Sequence, residues 1–125
     1  MDTNANSYKA GGRHIICDMF KVNTNKLEFI TSNTYKIFDK FIINTLVDAK
    51  INLLGKTTHH FGTPGSFTTL YLLAESHLSI HTWPEHAYIA LDVFTCGDSN
   101  TQEVVDQLVK YFEPESINCQ VITRG

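Results

Sequence analysis

Glu75-Ser76-His77-Leu78-Ser79-Ile80-His81-Thr82-Trp83-Pro84-Glu85-His86 is the stretch that decides how this 125-residue chain is read. It holds three of the six histidines and the only tryptophan. A mostly apolar run, Phe67 to Ala74, precedes it, and a second, Ala87 to Cys96, follows. Side chains alternate across a strand, so His77, Ser79 and His81 share one face while Ser76, Leu78 and Ile80 share the other. Trp83-Pro84-Glu85 supplies the turn that returns the chain as the next strand.

The flanking sequence extends this sheet. His14 to Phe20 reads as a first strand, opened by Gly11-Gly12. Thr31-Ser32-Asn33 offers helix caps, and Tyr35, Phe38, Ile42 and Leu46 then recur at helical spacing to about Lys50, with Ile37 and Phe41 widening the stripe. Gly55 punctuates, Lys56 to Phe61 reads as a strand and Gly62 to Ser66 as a loop. Gly97-Asp98-Ser99-Asn100 caps a second helix whose apolar face is Val104, Val105, Leu108, Val109 and Phe112. Glu113-Pro114 stops that helix, Ile117 to Ile122 is a last strand, and Met1 to Ala10 reads as a loose tail. The order β-α-β-β-β-α-β predicts an α+β, two-layer sandwich in one domain, residues 1–125. Its sheet is largely antiparallel, with two helices on one face and the other face open to a partner or ligand.

Composition narrows the function classes. Apolar residues make up 42% and charged ones 18%, an ordinary globular balance. A net charge of −3 without Lys/Arg clusters argues against nucleic-acid binding and suits a cationic substrate, or solubility alone. No apolar run approaches the ~20 residues of a membrane span, and the polar start lacks the apolar core of a signal peptide. Three separated cysteines without a CxxC predict free thiols in a reducing cytoplasm, with Cys17 and Cys119 as small buried hydrophobes.

The string Ala-Glu-Ser-His-Leu-Ser-Ile-His-Thr-Trp-Pro-Glu, residues 74–85, resembles the self-processing segment of the bacterial S-adenosylmethionine decarboxylases. The likeness continues through Asp92-Val93-Phe94-Thr95-Cys96-Gly97, Gly12-Arg13-His14, His60-Phe61 and Arg124-Gly125, and so runs from Gly12 to the end. It implies a proenzyme cut between Glu75 and Ser76. In that family the serine hydroxyl attacks the preceding carbonyl, and elimination leaves a pyruvoyl group at the new amino terminus, here derived from Ser76. The group takes up the substrate amine as a Schiff base and withdraws electrons as carbon dioxide leaves, so no separate cofactor is recruited.

The same likeness distributes the remaining roles. His81 matches the histidine that moves protons during self-processing, work that imidazoles do near neutrality. Cys96 matches the thiol that returns a proton after decarboxylation. Glu85 matches the glutamate that holds the ribose hydroxyls of S-adenosylmethionine, and Phe61 the aromatic that stacks on adenine. The family's second processing serine falls on Thr68, with Ser66 an alternative, and Ala87 stands where glycine is common. Without the resemblance, each has a plainer reading. Ser76 is then an ordinary strand residue, His81 a polar group on an exposed face and Glu85 a solvated turn carboxylate, while Phe61 and Cys96 are packing. A His77/His81 pair lacks a third ligand at zinc-site spacing, so no metal is expected.

The implied activity is pyruvoyl-dependent decarboxylation of S-adenosylmethionine, supplying the aminopropyl donor for polyamine (spermidine) synthesis. Ornithine or arginine decarboxylation on the same scaffold is one alternative, and a silent regulatory homologue another. A small domain with an open sheet face also predicts a homodimer of processed protomers with active sites near the interface.

Overall fold

The computed structural model describes residues 11–125, so the tail expected at Met1 to Ala10 lies outside the described residues. The elements in chain order are β1 (Gly12–Phe20), α1 (Thr24–Glu28), α2 (Tyr35–Asp48), β2 (Leu53–His60), β3 (Phe67–Leu73), β4 (Ser76–Trp83), a 3-10 turn (Pro84–His86), β5 (Tyr88–Thr95), α3 (Thr101–Phe112) and β6 (Ser116–Arg124). One six-stranded sheet, ordered β2-β3-β4-β5-β1-β6, is antiparallel at every pairing. The expected α+β class and two-layer arrangement hold. The deciding stretch is a full strand of its own, so there is one strand more than the β-α-β-β-β-α-β string counts.

The alternation expected in β4 is what divides the layers. Leu78, Ile80 and Thr82 are buried beneath the helices, while His77 and Trp83 are exposed on the open face and Ser79 and His81 half-exposed there. β5 repeats the pattern, with Ile89, Leu91, Val93 and Thr95 buried. Phe38, Ile42 and Leu46 of α2 and Val104, Val105, Leu108 and Phe112 of α3 complete the core. Burying each such side chain contributes ~1.5–3 kcal/mol, so the helices are held mainly by this shared face. Phe41 joins it by stacking on Tyr111, but Ile37 is 52% exposed and does not widen the stripe.

The caps also separate expectation from outcome. Asn100 accepts from the Glu103 backbone and starts α3 as its sequence implies. α2 begins after Thr34, whose hydroxyl accepts from the Thr31 amide and donates to the Phe29 carbonyl instead of capping the helix. The short α1, capped by the Asn23 side-chain Oδ1, which accepts from the Asn25 and Lys26 amides, is too brief for any apolar period to reveal it.

The cysteines require a correction. Cys17 and Cys119 form a disulfide and are not free thiols; Cys96 alone is unpaired among the described residues. They stand opposite each other across β1 and β6, so cross-strand register brings them together. Cys119 is half-buried, not the fully buried hydrophobe expected. The argument from free thiols to a reducing compartment falls with the pairing. No helix among the described residues is long and apolar enough to cross a membrane.

A polar chain beneath the sheet fixes α2. The Tyr71 hydroxyl donates to Asp39 Oδ1 at 2.8 Å and meets the Tyr35 hydroxyl at 2.7 Å, which in turn meets Thr69 at 2.7 Å. Asp39 also pairs with Lys56. Burial, and then the bond to Tyr35, push the Tyr71 hydroxyl far above the ordinary tyrosine pKa, so it remains a donor. Tyr71→Phe leaves the acceptor of Asp39 short of a partner and is expected to lower stability by about 1–2 kcal/mol. Urea denaturation with an unchanged m-value is the check.

Candidate active site

The residues singled out in the sequence fall into two groups, one at each end of β4. The first surrounds the β3–β4 turn. Leu73 pairs with Ser76, leaving Ala74-Glu75 as a two-residue turn. Glu75 is in the left-handed region at φ 61°. A non-glycine residue there is strained by roughly 1–2 kcal/mol, and the strain sits immediately before Ser76. Cys96, just past the end of β5, directs its thiol at the Glu75 carbonyl oxygen at 3.5 Å. A left-handed residue, a serine after it and a thiol on its carbonyl set a nucleophile and a polarising donor at one peptide.

The second group lies at the opposite end. Thr68 pairs with His81 in the β3–β4 register, and its hydroxyl meets His81 Nδ1 at 3.1 Å. Thr68, and not Ser66 in the preceding loop, is therefore the hydroxyl set against this histidine. That loop is closed by Phe61 N–H donating to the Ser66 carbonyl at 2.9 Å and is pinned to β4 by Thr82, whose hydroxyl donates to the Gly65 carbonyl at 2.6 Å. Gly65 is required, because a Cβ there would lie 2.7 Å from the Leu27 carbonyl oxygen. Phe61 at its rim is 57% exposed and packs edge-on against His59, so it is not core. Glu85 is exposed in the 3-10 turn after β4. Ala87 closes that turn at φ 49°, a left-handed position that favours glycine.

The structure does not bring the two groups together within one chain. His81 is five residues along β4 from Ser76. At strand rise that is roughly 17 Å, far beyond hydrogen-bond reach. The sequence shows both residues in one short motif and conceals this separation.

Two further features were not expected. Phe20, Trp83, His86 and Tyr88 line an open cleft of about 450 Å³ beside Glu85. Tyr88 stacks on Phe20 and packs on Trp83, and its hydroxyl, pushed up to about 12 by its bond to Asp18, stays a donor. Trp83, His86 and Tyr88 come from around the turn after β4, and Phe20 is brought in from β1 by the pairing with β5. The second feature is a cluster of His14, His77 and Asp92 on β1, β4 and β5.

Fold and site thus define a two-layer α+β protein with a serine behind a strained turn and a histidine–hydroxyl pair at the far end of the same strand. The sequence model described as S-adenosylmethionine decarboxylase matches residues 13–125, and the chain belongs to that family. The S-adenosylmethionine decarboxylase proenzyme of Archaeoglobus fulgidus is 37% identical over 118 residues, covering 91% of this chain and 97% of its own length. That of Aquifex aeolicus is 34% identical over 122 residues, covering 94% and 83%. A crystal structure of the adenosylmethionine decarboxylase from Aquifex aeolicus matches with a TM-score of 0.79 at 31% identity, over 94% of this chain and 93% of that one. The Trypanosoma brucei AdoMetDC-delta26 monomer shares the fold, with a TM-score of 0.65 at 16% identity over 87% of this chain and 45% of that one.

Proposed function

We propose that the chain cuts itself between Glu75 and Ser76 and then decarboxylates S-adenosylmethionine, supplying the aminopropyl donor for polyamine synthesis. Family membership and the proenzyme name of its relatives support this reading. The observation that carries it to these residues is the Cys96 thiol on the carbonyl of the strained Glu75. Ser76 supplies the attacking oxygen, and the thiol polarises the carbonyl under attack. The pyruvoyl group derived from Ser76 supplies an electron sink for loss of the substrate carboxylate. Ser76 fits its source, being the first residue of a strand whose preceding peptide is already distorted. Cys96 then stands beside the reacting centre as proton donor, while Phe61 and Glu85 hold adenine and ribose.

The 17 Å gap makes the second half of this proposal. His81 serves Ser76 only if it comes from another chain, so the working unit is a homodimer of processed protomers packed through their open sheet faces. Ile16, Phe20, Leu70, Leu72, Trp83 and Ile122 leave that face with exposed apolar surface that a partner would cover. A two-fold axis lying in the interface plane and perpendicular to β4 sets the Ser76 end of one protomer beside the His81 end of the other, forming two equivalent composite sites. Phe61, Thr68, His81 and Glu85 then act across the interface.

Intact-mass measurement on the reduced protein tests the first half. It is expected to give two species, Met1–Glu75 and a second fragment beginning with the Ser76-derived group, whereas Ser76→Ala gives only the uncut chain. An uncut parent after prolonged incubation of folded protein overturns the reading. Release of labelled carbon dioxide from carboxyl-labelled S-adenosylmethionine, and not from ornithine or arginine, tests the substrate.

A further inference from the structure

The geometry points to a binding site for a divalent transition cation of the zinc class, formed by His14, His77 and Asp92. The site rests on register and donor chemistry and does not depend on the decarboxylase reading. In the sheet, His14 and His77 stand opposite Phe94 from its two sides, on β1 and β4. Asp92 follows two residues away on the same face of β5, diagonal to both imidazoles and within their reach.

Both rings converge on one oxygen. His14 Nε2 lies 2.5 Å and His77 Nε2 3.2 Å from Asp92 Oδ1, and the three donor atoms all lie within 4.8 Å of one another. Tetrahedral zinc with ligands at 2.0–2.2 Å separates its donors by about 3.3 Å. The His77–Asp92 spacing is there already, and the other two pairs need only small side-chain rotations. Two imidazoles and one carboxylate suit borderline cations, whereas magnesium and calcium prefer shells of oxygen.

The surroundings are those of a site with one open side. The Phe94 ring packs against both imidazoles, with centroids 5.6 Å from His14 and 6.0 Å from His77. Gly12 makes room for that ring, since a Cβ there would lie 2.8 Å from it. Arg124 is engaged over the Phe94 ring, and the ion-pair partners of Asp92 among the described residues are the two histidines. Within one chain the His77 side chain is 47% exposed, which leaves a fourth position for water or for a group of the facing protomer. Because His77 directly follows Ser76, a bound ion also ties the start of β4 to β1 and β5.

The test uses tag-free protein, both the self-processed parent and uncut Ser76→Ala, titrated with Zn2+, Co2+ and Mg2+ by calorimetry. Visible absorption follows the Co2+ arm. One Zn2+ or Co2+ per chain is expected, with tetrahedral-type cobalt absorption and no magnesium heat. His14→Gln, His77→Gln and Asp92→Asn should each weaken binding at least tenfold, while His59→Gln, outside the cluster, should leave it unchanged. If Asp92→Asn fails to fold, His77→Gln, at an exposed position, still decides. Absence of zinc binding in the parent, or equal binding in His77→Gln, overturns the assignment.

Discussion

The His81→Ala chain, uncut when made alone, is expected to be cut when it is co-expressed with Ser76→Ala. The expectation follows from strand length. Ser76 and His81 of one chain are roughly 17 Å apart on β4, so a His81 that serves Ser76 must belong to a second protomer. In a mixed dimer, the His81→Ala chain presents its intact Ser76 to the intact His81 of the Ser76→Ala chain. The other composite site has neither. Random pairing puts about half of the His81→Ala chains into mixed dimers, so about half should be cleaved, and no Ser76→Ala chain should be. Intact-mass measurement distinguishes the two chains directly. If the mixture stays uncut, the two ends do not meet across an interface. If His81→Ala alone cleaves at the parent rate, the histidine has no part in self-processing.

Cys96→Ala separates the two stages of the reaction, with the larger loss in the second. The thiol lies 3.5 Å from the Glu75 carbonyl oxygen, so its removal withdraws one weak hydrogen bond from the peptide under attack. A bond of that kind contributes about 1 kcal/mol, and cleavage should slow by no more than about tenfold. After complete cleavage the same variant lacks the proton donor proposed for decarboxylation. Positioned proton transfer contributes 10²–10⁴-fold, and kcat should fall by about that factor, with activity decaying over successive turnovers as the wrong carbon is protonated. Separate time courses of cleavage by mass and of carbon dioxide release read the two effects. Parent-rate decarboxylation by fully processed Cys96→Ala makes Cys96 a packing residue.

What the sequence revealed was local. Alternation in the Glu75-to-His86 stretch placed His77, Ser79 and His81 on the open face, and the helical stripes of α2 and α3 marked their buried sides. The family string alone points to Ser76, His81 and Cys96. Register is not local, and most of what was missed depends on it. Cys17 and Cys119 are separated by 102 positions yet face each other across β1 and β6. His14, His77 and Asp92 come from three strands, and sequence spacing offered His77 only His81, which points into a different neighbourhood. Ile37 fits the apolar period of α2 but lies at its margin, where the sheet no longer covers it. The Ala87 departure gains its meaning only from the left-handed backbone it occupies.

The sheet order determines what becomes of the two pieces once Glu75–Ser76 is broken. The amino-terminal piece keeps β1, β2 and β3, and the carboxy-terminal piece keeps β4, β5 and β6. β1 is threaded between β5 and β6, bonded to a strand of the other piece along each edge. The pieces are interlaced and cannot drift apart without unpicking the middle of the sheet. The link between Cys17 and Cys119 also spans the break, with one sulfur in each piece. Covalent continuity lost at the turn is thus kept at the far side of the sheet. Boiled in detergent, the processed protein should run as one band without reductant and as two with it.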